Sequence, residues 1–186
     1  MLERAGGYDA KIKADIADWR AEGLALIFSN AALHWLNDHH RLMPRLAAML
    51  PPGGVLAVQM PRQFLAPSHR FLRDIAGAMF PDRFDFAGWV APVATAAEYQ
   101  TLLAGHGAVE AWETEYVQRL EPSAEGHPVR RFTESTAMRP FVEKMTATEV
   151  TRFVSAYEEA LAAAYPAMED GAVLFPFRRV FFTLRV

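Results

Sequence analysis

Two short apolar runs decide the fold: Leu24-Ala-Leu-Ile-Phe-Ser29 and, after Pro51-Pro-Gly-Gly54, Val55-Leu-Ala-Val-Gln-Met60. Each run is too short for a helix and has the unbroken apolar character of a buried parallel strand. Between them, Asn37-Asp38 predicts the N-cap of a helix, which the Pro-Pro-Gly-Gly sequence ends. The apolar residues of that helix lie at helical spacing: Leu42, Leu46, Met49 and Leu50. This order predicts a doubly wound parallel sheet with right-handed crossovers.

The rest of the chain continues the alternation of strands and helices. Strands are predicted at 8–14, 108–120 and 171–186, helices at 67–79, 94–106 and most of 125–165, and loops at 15–19 and 80–93. Pro176 is expected at a bulge or a sheet edge, and Arg139-Pro140 is expected to break the third helical segment. The pattern favours one α/β domain over residues 1–186, with a helical insert at about 122–168 before the last strand.

Composition excludes several classes of function. The chain has 186 residues, 52% of them hydrophobic, so it can build a packed core. Its formal net charge is −3 without long charged runs, which gives no electrostatic support for nucleic-acid binding. It has no cysteine, and no apolar run is long enough to span a bilayer. Without the apolar region of a signal peptide, a cytoplasmic location is expected, with no nucleic-acid and no membrane partner.

Five motifs spread along the chain carry a resemblance to a known family. They are Ala14-Asp-Ile16, Ile27-Phe-Ser-Asn-Ala-Ala-Leu-His-Trp-Leu36, Gly54-Val-Leu-Ala-Val-Gln-Met-Pro61, Met138-Arg-Pro140 and Phe177-Arg-Arg-Val-Phe181. Together they resemble the trans-aconitate 2-methyltransferase family, within the class I S-adenosylmethionine-dependent methyltransferases. The resemblance implies an α/β, Rossmann-like sheet whose fourth and fifth strands are the two apolar runs.

The chain departs from this family in one respect. Its members begin with a strand, a glycine-rich turn, a helix and a second strand that ends in an acidic residue, whereas no Gly-x-Gly-x-Gly occurs in the 186 residues. We therefore expect a partial sheet that lacks the first two βα units, in an N-terminally truncated chain with an incomplete site for S-adenosylmethionine.

The resemblance also implies residues that contact the cofactor. Asp15 would accept a hydrogen bond from the adenine amino group, and Ile16 would pack on the ring. Asn30 and Ala31 follow the first apolar run, where ligands of open α/β sheets bind, and would face the methionine part. The alternatives are that Asp15 only caps the loop that follows it, and that Asn30 only satisfies local backbone groups.

A second set of residues is expected to bind the substrate: His34, Trp35, Gln59, Met60, Tyr116, Arg139 and Arg179. The arginines are included because a planar, permanently charged fork recognises carboxylates best. Surface ion pairs and plain packing are the alternatives, and Arg178 would replace Arg179 if the strand register differed by one residue. A metal site at His34, Asp38, His39 and His40 is disfavoured, because methyl transfer to oxygen needs no zinc.

These residues predict a carboxyl O-methyltransferase that forms a methyl ester on a small polycarboxylate such as trans-aconitate. A carboxylate is already ionised at neutral pH, so no catalytic base is expected. For the chain as written we expect little or no activity. The alternative is a non-catalytic remnant or interaction module of the same fold, with self-association through an exposed sheet edge.

Overall fold

The strands of the protein form one sheet. The computed structural model describes residues 6–186. The four strands of this part are β1 (Leu26–Asn30), β2 (Val55–Pro61), β3 (Ala108–Leu120) and β4 (Val173–Arg185), in the order β1-β2-β4-β3. β1 and β2 are parallel, as the sequence predicts, whereas β4 lies between β2 and β3 and is antiparallel to both. The sheet is therefore mixed.

Helices connect these strands. They are α1 (His39–Ala47), α2 (Pro67–Met79), α3 (Ala96–Leu103), α4 (Pro128–Glu134), α5 (Arg139–Val142) and α6 (Ala147–Ala164), with 3₁₀ turns at Leu33–Trp35 and Ala104–His106. α2 begins with a proline at its first turn, and α3 and α6 begin with capping boxes, Thr95 with Glu98 and Thr146 with Glu149. Arg139-Pro140 starts α5, so the break lies just before it. α4, α5 and α6 form the helical segment between β3 and β4.

Alternate residues of β4 point to opposite faces of the sheet, and each face builds its own hydrophobic core. The even-numbered residues Val180, Phe182 and Leu184 pack with Leu56, Val58 and Met60 of β2, and α1 and α3 cover this face. The odd-numbered residues Val173, Phe175 and Phe177 pack against α2, α4 and α6 on the other face. We call the first core the α1/α3 core and the second the α2/α6 core.

Two predictions about the first strands are wrong. Residues 8–14 form no strand and are exposed, because a short alternating run is stable only beside a partner strand. β1 is not buried on both sides, since Leu26 and Phe28 are 56% and 70% exposed. β1 is the edge of the described sheet, and the face with Phe28 continues into the stacked rings of Trp112 and Phe181.

Pro176 lies where a proline costs little. β2 ends opposite Arg179, so at Pro176 strand β4 pairs only with Val117 of β3 and is locally an edge. The Pro176 carbonyl accepts a hydrogen bond from Gln63 at 3.0 Å. The expectation of an edge position is therefore confirmed.

Candidate functional site

The ends of β1 and β2 are tied together by a strained turn. Asn30 and Gln59 are paired in register, and the amide of Ala31 donates to the carbonyl of Gln59 at 2.9 Å. Ala31 has φ of +50°, a conformation that residues other than glycine adopt rarely and that clusters at functional sites. This turn leads directly into the 3₁₀ turn that carries His34 and Trp35.

A cavity of about 210 Å³ lies beside this turn, and we call it the imidazole cavity. Its lining is mostly apolar and contains two imidazole rings: His34, Trp35, Pro61, Gln63, Phe64, His69, Phe132, Thr136, Ala137 and Phe177. Four parts of the chain supply this lining: the segments at the ends of β1 and β2, the start of α2, the helical segment between β3 and β4, and β4 itself, through Phe177. The structure thus brings the predicted His34 and Trp35 to the helical segment.

Arg179 lies next to this cavity. Its guanidinium donates to Gln59 Oε1 at 3.0 Å and lies 4.8 Å from the centre of the Phe177 ring, which lines the cavity. Within residues 6–186, no carboxylate lies within salt-bridge distance of Arg179, whereas its neighbour Arg178 pairs with Glu115 at 3.3 Å. Arg178 is exposed on the other face of the sheet, so the register places Arg179 at the cavity.

Both imidazoles of the cavity are neutral at neutral pH. Burial lowers the pKa of His34 to about 4, and the positive charge of Arg179 and the neighbouring His39 add to this effect. Burial and the charge of Arg73 lower the pKa of His69 to about 4 as well. A ring with a lowered pKa stays uncharged unless an anion binds beside it.

Several buried polar atoms at or after the carboxyl ends of β1 and β2 have no hydrogen-bond partner in the described part of the chain. Within the described residues, Ser29 Oγ, His34 Nδ1 and Gln59 Nε2 are buried and accept or donate no hydrogen bond. An unsatisfied buried polar group costs about 1–3 kcal/mol, and such groups are rare away from functional sites. Of these atoms, His34 Nδ1 belongs to a residue that lines the imidazole cavity, and Gln59 is the residue whose Oε1 accepts from Arg179.

Asp15 lies in a second cavity of about 450 Å³, together with Trp35. Asp15 Oδ1 accepts from the amide of Ala17 at 2.9 Å, so the capping alternative is present in the structure. The segment is held by Arg45 of α1, which donates to the carbonyls of Ile16 and Trp19 at 2.6 and 2.7 Å. Asp15 Oδ2 has no hydrogen-bond partner in the described part of the chain.

Other predicted residues lie apart from these two cavities. Asn30 and Gln59 line a shallow cavity of about 320 Å³ on the exposed sheet face, with Phe28 and Trp112. Met60 is fully buried in the α1/α3 core, which favours the packing alternative for this residue.

Arg139 and Tyr116 do not line the imidazole cavity. Arg139 is exposed at the start of α5 and pairs with Glu143 at 2.6 Å. Tyr116 is 46% exposed and lies in register with Phe177. The substrate-binding role of both residues stays a prediction.

Sequence reasoning missed His69 and Gln63. Gln63 is buried, donates to the carbonyl of Pro176 and accepts from the amide of Arg178 at 2.9 Å, which fixes the end of β2 against β4. His69 lies in the first turn of a helix, and only the packing of α2 brings it opposite His34. The Ser68-His69 pair in the first turn of an amphipathic helix was the available signal.

Two further observations concern the described residues. Within residues 6–186, no group of three or more His, Cys, Asp or Glu side chains has the geometry to hold a metal ion. No helix of the same part is both long and apolar enough to cross a membrane.

Comparison with known proteins gives matches over nearly the whole chain. A trans-aconitate 2-methyltransferase of Azoarcus sp. (strain BH72) is 40% identical over 172 residues, covering 91% of this chain and 66% of the relative. That of Methylobacterium nodulans is 41% identical over 178 residues, covering 93% and 67%. That of Escherichia coli O17:K52:H18 is 37% identical over 177 residues, covering 94% and 67%. The chain thus spans about two thirds of the length of these relatives. No family model matches it.

Solved structures are more distant in sequence. YcgJ protein from Bacillus subtilis is 10% identical, with a TM-score of 0.47 and coverage of 89% of this chain and 65% of that one. Phosphoethanolamine N-methyltransferase 2 of Haemonchus contortus, in complex with S-adenosyl-L-methionine, is 14% identical, with a TM-score of 0.41 and coverage of 92% and 36%.

The α/β architecture and these relatives place the chain among the class I methyltransferases, whose co-substrate is S-adenosylmethionine. Within that class, identities of 37% and 41% over 94% and 93% of the chain identify the family. The chain belongs to the trans-aconitate 2-methyltransferase family.

Proposed function

We propose that this site transfers a methyl group from S-adenosylmethionine to a carboxylate oxygen of a small polycarboxylate such as trans-aconitate, and so forms a methyl ester. The observation that carries the proposal is Arg179: a partly buried cation beside the imidazole cavity, without a carboxylate partner in the described part of the chain. Such a cation is suited to an anionic ligand. The cavity volume of about 210 Å³ is below the range of drug-sized ligand pockets, which favours a small acid.

The chemistry asks little of the protein beyond orientation. A carboxylate with a pKa near 4 is ionised at neutral pH, so its oxygen attacks without a general base. The bound cofactor supplies the electrophilic methyl group. Arg179 would hold a carboxylate of the acid, and the apolar walls formed by Phe132 and Phe177 would exclude water, which strengthens the ion pair. A cation bound tightly to the attacking oxygen would weaken it, so we assign Arg179 to a carboxylate that is not methylated.

The cofactor would be held by residues around the turn after β1. We propose that Asp15 Oδ2 accepts from the adenine amino group and that Ile16, 40% exposed, packs on the ring. Asn30 and Ala31 would face the methionine part. The fit is partial, because the sequence offers no Gly-x-Gly-x-Gly turn for the rest of the cofactor. We therefore propose that a polypeptide of these 186 residues alone is inactive, the alternative being an interaction module of the same fold.

We further propose that such a polypeptide self-associates. The edge of β1 offers backbone groups for strand pairing, and the adjoining face exposes Leu26, Phe28 and Trp112. An exposed apolar edge strand favours pairing with a second copy.

A chimera tests the methyl-transfer proposal. It joins this chain to the portion of the Methylobacterium nodulans relative that lies outside the 178-residue match. With S-adenosylmethionine and trans-aconitate, we expect mass spectrometry to detect the methyl ester, and we expect less product from a monocarboxylate. A chimera that binds S-adenosylmethionine but methylates no polycarboxylate would refute the proposal.

A further inference from the structure

Hydrogen bonds with two tyrosines fix the backbone of Ser68, whose hydroxyl contacts the His69 ring. The Nδ1 atom of His69 lies 3.0 Å from Oγ of Ser68, which is fully buried. The Ser68 amide donates to the Tyr165 hydroxyl at 3.1 Å, and the Ser68 carbonyl accepts from the Tyr157 hydroxyl at 2.6 Å. Two tyrosines from α6 and its C-terminal cap therefore hold the residue that orients the imidazole ring.

The free nitrogen of this ring is a donor. The Ser68 hydroxyl has no hydrogen-bond partner among residues 6–186 other than His69 Nδ1. Because a buried hydroxyl proton without an acceptor is costly, it is donated to Nδ1, and the ring proton then resides on Nε2. Within the described residues, Nε2 bonds no protein atom, and His69 lines the imidazole cavity.

The charges around His69 favour an anion. His34 faces it from the 3₁₀ turn, Arg73 lies one turn further along α2, and Arg179 approaches from β4. α4 and the residues after it contribute Phe132, Thr136 and Ala137, none of them ionisable. The Tyr157 hydroxyl bonds Ser68 and Thr133, and the Tyr165 hydroxyl bonds Ser68. No carboxylate is among the residues that line the cavity.

We propose that His69 is a substrate-binding and specificity-determining residue, whose Nε2–H donates to a second carboxylate of the acid, apart from the one that Arg179 holds. The inference rests on the proposed function and adds to it that the site selects acids with more than one carboxylate besides the one methylated. An anion beside the ring also favours the imidazolium, so the complex takes up a proton and binding tightens as pH falls from neutrality towards about 4, the pKa of the free ring.

Calorimetry on the 186-residue chain tests this inference, with trans-aconitate as the tricarboxylate and crotonate as the monocarboxylate. We expect His69→Phe to weaken binding of the tricarboxylate about 10- to 150-fold, the range for a hydrogen bond to a charged group. His69→Gln, which restores a donor near Nε2, should recover most of the loss and also serves if the Phe variant does not fold. His106→Phe, a change of an exposed histidine far from the cavity, should have no effect.

A second readout separates binding from structural support. In the NMR spectrum of histidine-labelled chain, saturating tricarboxylate should raise the pKa of His69, whereas crotonate should not. Unchanged affinity in both His69 variants, or no binding of the tricarboxylate by the wild-type chain, would overturn the inference. Binding that depends on His69, with a chimera that methylates nothing, would refute the proposed function and leave this inference standing.

Discussion

Replacing Arg179 by alanine should cost the chimera most of its affinity for a tricarboxylate. The guanidinium is partly buried, makes one bond to Gln59 at 3.0 Å, and keeps its other N–H groups free of any carboxylate in the described residues. A charge-assisted bond in such a place contributes about 1.5–3 kcal/mol, so KM should rise about 10- to 150-fold. The change also removes the donor to Gln59 Oε1, whose amide nitrogen is already without a partner.

The matched variants are Arg179→Lys, Arg178→Ala and Arg139→Ala. Lysine should recover only part of the affinity, because an ammonium cannot make two parallel bonds. Arg178 lies next in sequence but on the other face, paired with Glu115, and its loss should leave KM unchanged. Arg139 was predicted to bind the substrate, yet it is exposed and paired with Glu143, so its loss should change KM by less than about five-fold, as for a surface ion pair.

The assay is steady-state methyl-ester formation at fixed pH, with KM for trans-aconitate and the Kd for S-adenosylmethionine measured separately. Cofactor affinity should stay nearly the same in all four variants. If Arg179→Ala and Arg178→Ala have equal KM values, or if Arg179→Ala loses cofactor binding, the assignment of Arg179 to the substrate is wrong. A large KM increase in Arg139→Ala alone would instead assign substrate binding to Arg139.

Three further outcomes are expected for the 186-residue polypeptide. It should bind S-adenosylmethionine with a Kd far above micromolar. A micromolar Kd corresponds to a binding free energy of about 8 kcal/mol, and the polypeptide lacks several hydrogen bonds of about 1–3 kcal/mol each. Calorimetry that gives a micromolar Kd would contradict this. The polypeptide should self-associate in light scattering, and Phe28→Lys should reduce the associated fraction whereas Val90→Lys, in an exposed loop, should not. Its urea midpoint should fall as pH drops from 6.5 to about 4, because the unfolded state protonates His69 at a higher pH than the folded state does. The free energy of unfolding should fall by about 3 kcal/mol at most. An equally pH-dependent midpoint in the His69→Gln variant would exclude His69 as the cause.

Local signals predicted the elements that local chemistry determines. The helical spacing of Phe71, Leu72, Ile75 and Met79 predicts α2 over the same residues, 67–79, that the structure shows. The parallel pair of β1 and β2 followed from two apolar runs around one helix. The strand at 8–14 failed because alternation over seven residues carries no information about whether a partner strand lies beside it.

Long-range packing determined the rest. The antiparallel position of β4 between β2 and β3 depends on pairing across more than 100 residues, which no local pattern reports. Which of Arg178 and Arg179 lies beside the cavity depends on strand parity, and the register puts Arg179 on the face of Phe177. The sequence does not predict a role for His69, because helical periodicity does not identify which neighbouring element a helix face contacts. The packing of α2 brings His69 and His34 to the same cavity.

Arg45 of helix α1 also holds the segment of residues 15–19 in place. Its two bonds to the carbonyls of Ile16 and Trp19 attach an otherwise exposed segment to a well-packed helix. If Asp15 and Ile16 bind adenine as proposed, a substitution at Arg45 would therefore mimic a defect in that binding while both side chains stayed intact. Conversely, a ligand that immobilises residues 15–19 would slow amide exchange at the C-terminal end of α1, more than 20 residues further along the chain. The helix that holds the proposed adenine-binding segment is thus the same one that packs Leu42 and Leu46 into the α1/α3 core.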